Sequence, residues 1–204
     1  MSIAHAELPS LSHAVFLQRA AQALPLPGGG QQSRLGQAAF LALRLIDLLA
    51  PERQPVHADA FRYQCAATER FCRDLGMIST EGAHLDALVG SASSAQREGD
   101  IGLLLPGLFA YAHYLEDGLR LEEALDVLRT LRQVGGDHLS SADAIAASLR
   151  AGRVNRKLAR FDDAETEYAQ ARRAAASAGD TRSVFLGRIG RAQCICGRGN
   201  LPLA

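Results

Sequence analysis

GLRLEEA at 118–124 returns forty residues later as LARFDDA at 158–164, and after forty more as RGNLPLA at 198–204. Each copy presents a basic or amide residue (Arg120, Arg160, Asn200), a hydrophobe (Leu121, Phe161, Leu201), two spacers and an alanine (Ala124, Ala164, Ala204). A period of this length marks stacked helical hairpins, because a hairpin that cannot bury its apolar face alone stacks on a copy of itself. The turn opens a helix whose first turn holds the acidic pairs Glu122–Glu123 and Asp162–Asp163. Carboxylates there interact favourably with the positive end of the helix dipole. Their recurrence in one slot therefore argues for capping and against a carboxylate pair built for acid–base catalysis.

Outward from these turns, 161–180 (FDDAETEYAQARRAAASAGD) lies over 81–100 (EGAHLDALVGSASSAQREGD) at a shift of eighty, and both segments end in Gly-Asp. SVFLGRIGRA at 183–192 then lies over LLLPGLFAYA at 103–112. A unit thus reads as helix A, a tight turn, helix B and a Gly-Asp stop. Twelve residues before each alanine stands a small residue: Ala112, Gly152 and Ala192, with Cys72 one unit earlier. Small side chains at that place let helix A approach helix B closely. Four and seven residues after the alanine come Leu128 and Leu131, or Tyr168 and Ala171, the 3.6-residue stripe of a buried face.

The combination resembles the tetratricopeptide repeat family over about 60–204, most clearly in SLRAGRVNRKLARFDDAETEYAQARRAAASAGD at 148–180. The period of forty exceeds that family's usual ~34 and reaches the range of HEAT and armadillo arrays. The tryptophan, the helix-A tyrosine and the closing proline of the family pattern are missing. The short recurring turn favours the tetratricopeptide-like reading, which implies an all-α solenoid of about nine helices. Residues 57–204 form its repeats, the last one incomplete, and residues 1–56 a diverged N-terminal hairpin covering the first repeat. In that hairpin, SLSHAVFLQRAAQAL and SRLGQAAFLALRLIDLLAPE carry helical patterns. PLPGGGQQ between them reads as a breaker that neither helix nor strand accepts. At the other end, Ala204 should open a helix B, so the apolar face of 183–196 is expected to lack its partner. Either the sequence is part of a longer protein, or that face binds another chain, a second copy included.

Composition places the chain among ordinary globular proteins, with 48% hydrophobic and 22% charged residues and no tryptophan. Alanine and leucine dominate the apolar content, which favours helix. The formal net charge is zero, so no long-range field draws in nucleic acid or an anionic membrane. Residues 1–140 hold 11 Lys+Arg against 16 Asp+Glu, whereas 141–204 hold 11 against 6, a split of −5 and +5. Such a split suits an acidic partner at the C-terminal end. Four cysteines without scaffold spacing, and no apolar leader, point to a reducing cytoplasm. The most apolar stretch, LLLPGLFAYA, is well short of the ~20 residues that cross a bilayer.

No metal set is legible. Cys194 and Cys196 are spaced C-x-C and Cys65 precedes Cys72 by seven, neither of which is zinc spacing, so buried core thiols are expected. The six histidines show no H-x-x-x-H or H-E-x-x-H pattern. No cofactor and no catalytic residue is expected.

The resemblance instead implies a groove lined by helices A. Eleven residues before each marker stand Arg73, His113, Arg153 and Gln193, a column of donors suited to the carboxylates or carbonyls of a bound peptide. Phe109, fifteen residues before Ala124, adds a groove hydrophobe, and Arg156 belongs to the basic cluster Arg150, Arg153, Arg156, Lys157 and Arg160. Asp162, Asp163, Glu165 and Glu167 on the following helix are expected to neutralise part of that cluster. The functional expectation is a non-catalytic binding scaffold for a protein or peptide, with a sensor or regulatory arm of a larger signalling or transcription protein as the alternative.

Overall fold

The computed structural model describes residues 11–50 and 57–199. Among them are nine α-helices and no strand: α1 (Ala14–Ala23), α2 (Gly29–Asp47), α3 (Ala58–Gly76), α4 (Thr80–Glu98), α5 (Leu105–Asp117), α6 (Leu121–Gly135), α7 (Ser141–Lys157), α8 (Phe161–Ser177) and α9 (Thr181–Gly197). Two short 3-10 turns, Ile101–Leu104 and Gly136–His138, precede α5 and α7. The protein is all-α, and helices consecutive along the chain pack as pairs: α1 on α2, α3 on α4, α5 on α6 and α7 on α8, with α9 on α8. Close approaches run in opposite senses along α8 and α9, where Gly187 meets Arg172, Gly190 meets Tyr168 and Gly197 meets Phe161.

The forty-residue signal is written in backbone as well as in side chains. Leu119 (φ 57°) and Ala159 (φ 58°) adopt the left-handed conformation between the two helices of a hairpin, and Gly199 (φ 80°) occupies the next slot. Behind each bend a 6→1 bond closes the preceding helix, Arg120 N–H to Leu115 O and Arg160 N–H to Asn155 O, both 2.9 Å. This is the Schellman termination. A non-glycine residue there is held in a conformation that costs roughly 1–2 kcal/mol. Both side chains are exposed, so Leu119→Gly and Ala159→Gly should each raise stability by roughly 0.5–1 kcal/mol after the entropic cost of glycine. Urea unfolding checks this, and a loss in both variants refutes it.

A second forty-residue signal lies in the starts of the helices. Asp100, Ser140 and Asp180 accept from Gly102, Asp143 and Ser183 N–H respectively at 2.8, 3.1 and 3.0 Å. Gly99 (φ 69°) and Gly179 (φ 72°) end the helices before two of them. Gly-Asp is therefore both the stop of helix B and the cap of the next helix A.

The marker alanines sit where the hairpins close. Ala124, Ala164, Ala112, Leu131 and Ala171 are fully buried, and Tyr168 nearly so. The Tyr168 ring fills the space left by two glycines, Gly152 of α7 and Gly190 of α9, where an added Cβ would come within 3 Å of it. Ala204 and the turn at 200–204 lie outside the described residues.

The breaker at PLPGGGQQ is narrower than the sequence suggests. Gly28 takes φ 73° and α2 already begins at Gly29. An added Cβ on Gly29 would lie 1.8 Å from Ala23 O, so the glycines make a tight reversal rather than a long loop. The α1–α2 hairpin is not confined to the first unit: α2 touches α3, α4 and α6, and α1 touches α6. The proposed boundary at 56–57 falls beside 51–56, outside the described residues.

Cys65, Cys72 and Cys194 are buried core thiols as expected, while Cys196 is exposed, and all four are free. Burial pushes the Cys72 thiol up to about 12, with a smaller push from Asp86. No helix of the described residues is long and apolar enough to cross a membrane.

Candidate functional site

Helices A present the expected column at their exposed surfaces, but its members are not equivalent. Arg73 on α3 pairs with Glu69 one turn earlier, and His113 on α5 lies 3.1 Å from Asp117; both couples are largely solvated. Gln193 on α9 is exposed, while Phe109 is half-buried against the core.

Arg153 is held within the fold. Its Nε and NH2 groups donate to Glu116 at 2.6 and 2.8 Å, and Arg150 and Lys157 reach the same carboxylate at 3.3 and 2.9 Å. Glu116 is 1% exposed. Burial alone would raise its pKa, but the hydrogen bonds and charges of Arg153 and Lys157 hold it below the usual carboxylate range. α7 thus clamps the buried acid of α5.

The basic cluster is accordingly neutralised inside the molecule, though not by the acids of α8. Arg160 forms a bidentate pair with Glu122 on α6. Glu167 is taken instead by Arg132, at 2.8 and 2.6 Å. Asp162 and Glu165 are taken by Arg198. The physical reason is stagger: α7 faces back across the unit boundary to α5, while the outer flank of α8 turns toward α9. Arg156 hydrogen-bonds the Tyr168 side chain, and its buried Nε has no partner.

A second assembly, which no motif announced, binds α1 to α4, α5 and α6. Glu81 is 3% exposed and accepts from Tyr111 Oη at 2.9 Å, from Arg19 NH1 at 3.0 and 3.1 Å and from Arg120 NH1 at 2.7 Å. Glu123 lies 3.5 Å from Arg19 and 3.8 Å from Arg120. Burial raises its pKa to about 7, with Glu81 and Asp126 adding to Arg19's opposition. Nearby, His13 (φ 63°) donates through Nδ1 to Asp126 and sits 3.2 Å through Nε2 from Asp47. Burial would depress the imidazole, but hydrogen bonds and charges from Asp126 and Asp47 raise it to about 9. The buried Tyr111 hydroxyl is pushed well up by burial and by Glu81.

This network has a legible trace in register. Positions 81 and 84 lie forty before Leu121 and Ala124, yet hold Glu81 and His84. His84 tilts against Tyr114 at 5.0 Å between ring centres. The departure from the repeat was the one available signal, and its partners Arg19 and Tyr111 could be named only after folding.

Two surfaces remain open. A groove of about 640 Å³ between α2 and α3 is lined by Leu41, Leu45, Leu48, Tyr63 and Phe71 with Arg44 among them. On α9, Phe185, Leu186 and Ile189 are 62, 43 and 40% exposed. Among the described residues, no group of three or more His, Cys, Asp or Glu could hold a metal ion.

Fold and surfaces together define an all-α protein of consecutive helical hairpins with solvent-facing helix-A side chains. No protein-family model, curated protein or solved structure matched the chain.

Proposed function

We propose that the chain is a non-catalytic binding scaffold, a tetratricopeptide-like α-solenoid acting in the cytoplasm on a protein or peptide partner of acidic character. The observation that carries this reading is the repetition of exposed polar side chains at one register of successive helices A, Arg73, His113, Arg153 and Gln193, beside the apolar Phe109, Leu149 and Ile189. Stacked hairpins supply a rigid surface on which such donors are placed without further ordering cost. The excess of basic residues after position 140 gives the acidic preference.

Because Arg153 holds Glu116, its replacement would disturb the fold, and the test rests on its neighbours in register. A photo-crosslinking amino acid at His113 or Gln193, both exposed, should capture a second protein in cells, and the same group at exposed Gln170 on α8 should not. Equal capture from all three positions, or none from any, would overturn the reading.

A further inference from the structure

α9 carries a stripe that α5 and α7 also carry, with a different fate. Leu105, Phe109, Ala112 and Glu116 of α5 recur as Ile145, Leu149, Gly152 and Arg156 of α7 and as Phe185, Ile189, Ala192 and Cys196 of α9. The spacing of four, seven and eleven aligns each set on one helical face. In α5, Leu105, Ala112 and Glu116 are buried. In α7, Ile145 and Gly152 are buried, the latter under the Tyr168 ring of α8. In α9 the corresponding Phe185 is 62% exposed and Ile189 40%. The side of α9 that is covered is the opposite one, Gly187, Gly190 and Cys194, against α8.

Charge distinguishes this face from an ordinary apolar patch. α9 contains no acidic residue. Arg188 and Arg182 flank the stripe on its two sides and make no ion pair with any described residue, whereas Arg191 and Arg198 are held by acids of α8. In the covered units the helix laid against the stripe, α6 or α8, begins with two acids and offers a small residue followed by larger ones four and seven positions on.

We propose that the Phe185–Ile189–Ala192–Cys196 face of α9 docks an acidic amphipathic α-helix of a partner protein. Apolar residues spaced by three and four seat on the stripe, and carboxylates on the helix flanks meet Arg182 and Arg188. A second copy of this chain docked through the same face would set the arginines of both copies against each other, a like-charge arrangement that disfavours a symmetric pair. The inference rests on the scaffold reading but places the contact on α9's outer face, away from the His113 register.

The test uses the whole chain and two capped 20-residue helical peptides with leucines at every third and fourth position, one with glutamates and one with lysines elsewhere. Fluorescence anisotropy should show saturable binding of the acidic peptide only. Phe185→Asp with Ile189→Asp should weaken it at least about tenfold, the scale of a lost interface anchor. Arg182→Glu with Arg188→Glu should also weaken it and steepen its dependence on salt no further. Both pairs are exposed, and unchanged thermal unfolding shows that the fold is intact. Equal binding of the two peptides, no binding of the acidic one, or binding indifferent to both variant pairs overturns the proposal. Self-association in light scattering that Phe185→Asp abolishes also overturns it, in favour of a second copy. Crosslinking from His113 is independent of all these outcomes, so failure here leaves the scaffold reading standing.

Discussion

Glu81→Leu restores the hydrophobe that the forty-residue pattern calls for at this position, and it should nevertheless unfold the protein more readily by about 3–5 kcal/mol, the cost of breaking a buried ion pair from one side. The lost carboxylate is the acceptor for Tyr111, which is fully buried, and for the guanidiniums of Arg19 and Arg120. A leucine leaves these donors in place with only Glu123 to share, at 3.5 and 3.8 Å. Replacing the donors as well, in Glu81→Leu with Arg19→Met, Arg120→Met and Tyr111→Phe, should recover stability to within about 1 kcal/mol of the parent, since a well-packed apolar substitute for a buried ion cluster is often neutral. Urea unfolding of both proteins checks this. A single variant as stable as the parent would show that the network is not buried as described.

Stability should also fall steeply as the solution becomes alkaline. Glu123 has a pKa raised from 4.5 to about 7 and His13 from 6.5 to about 9. A group whose pKa is raised on folding contributes stability below its unfolded value and loses it as pH climbs through the folded one. Glu123 therefore withdraws its contribution between pH 4.5 and 7, and His13 between 6.5 and 9. Each shift corresponds to on the order of 3 kcal/mol, and the sum is smaller because Asp126 acts on both. Glu116 has the opposite sign: its lowered pKa gives stability that is present above 4.5 and lost on acidification. Maximum stability should then lie in mildly acidic solution, about pH 5. Glu123→Gln should remove the lower step and raise stability at pH 8 while changing little at pH 5. His13→Gln should remove the step near pH 9 and loosen α1. Thermal unfolding from pH 4 to 10 reads all three, and a flat profile between 5 and 9 would refute the assignment.

Much of the architecture was legible because it repeats. The turn at 118–124 and its copy gave the hairpins, and the backbone confirms them in Leu119 and Ala159. The stripes at Leu128 and Leu131, and at Tyr168 and Ala171, read correctly as buried faces because helical period alone decides which side a residue lies on. The caps at Asp100, Ser140 and Asp180 were also in the sequence, forty apart, but were masked by reading Gly-Asp as an ending only.

The site was less legible, for a reason visible at Arg153. Register places it beside Arg73, His113 and Gln193, all exposed on helices A. It does not reveal that Glu116, thirty-seven residues earlier, waits buried beneath it. The basic run from Arg150 to Arg160 looked suited to the acids next in sequence, yet Glu116 and Glu122 of the preceding unit neutralise it. Likewise Arg19 and His13, in a hairpin with no clear register, meet Glu81, Asp47 and Asp126 only through the packing of α1 on α6.

By itself the sequence determined the helices, the hairpin period, the positions of the bends and the buried stripes, since these depend on local dihedral preference and on the 3.6-residue period. Only the tertiary structure decided which acid each arginine meets, which carboxylates are buried, and that the Phe185 face stays open where Leu105 and Ile145 are covered. Charge pairing and burial depend on distances between helices far apart in sequence, and no local pattern encodes those distances.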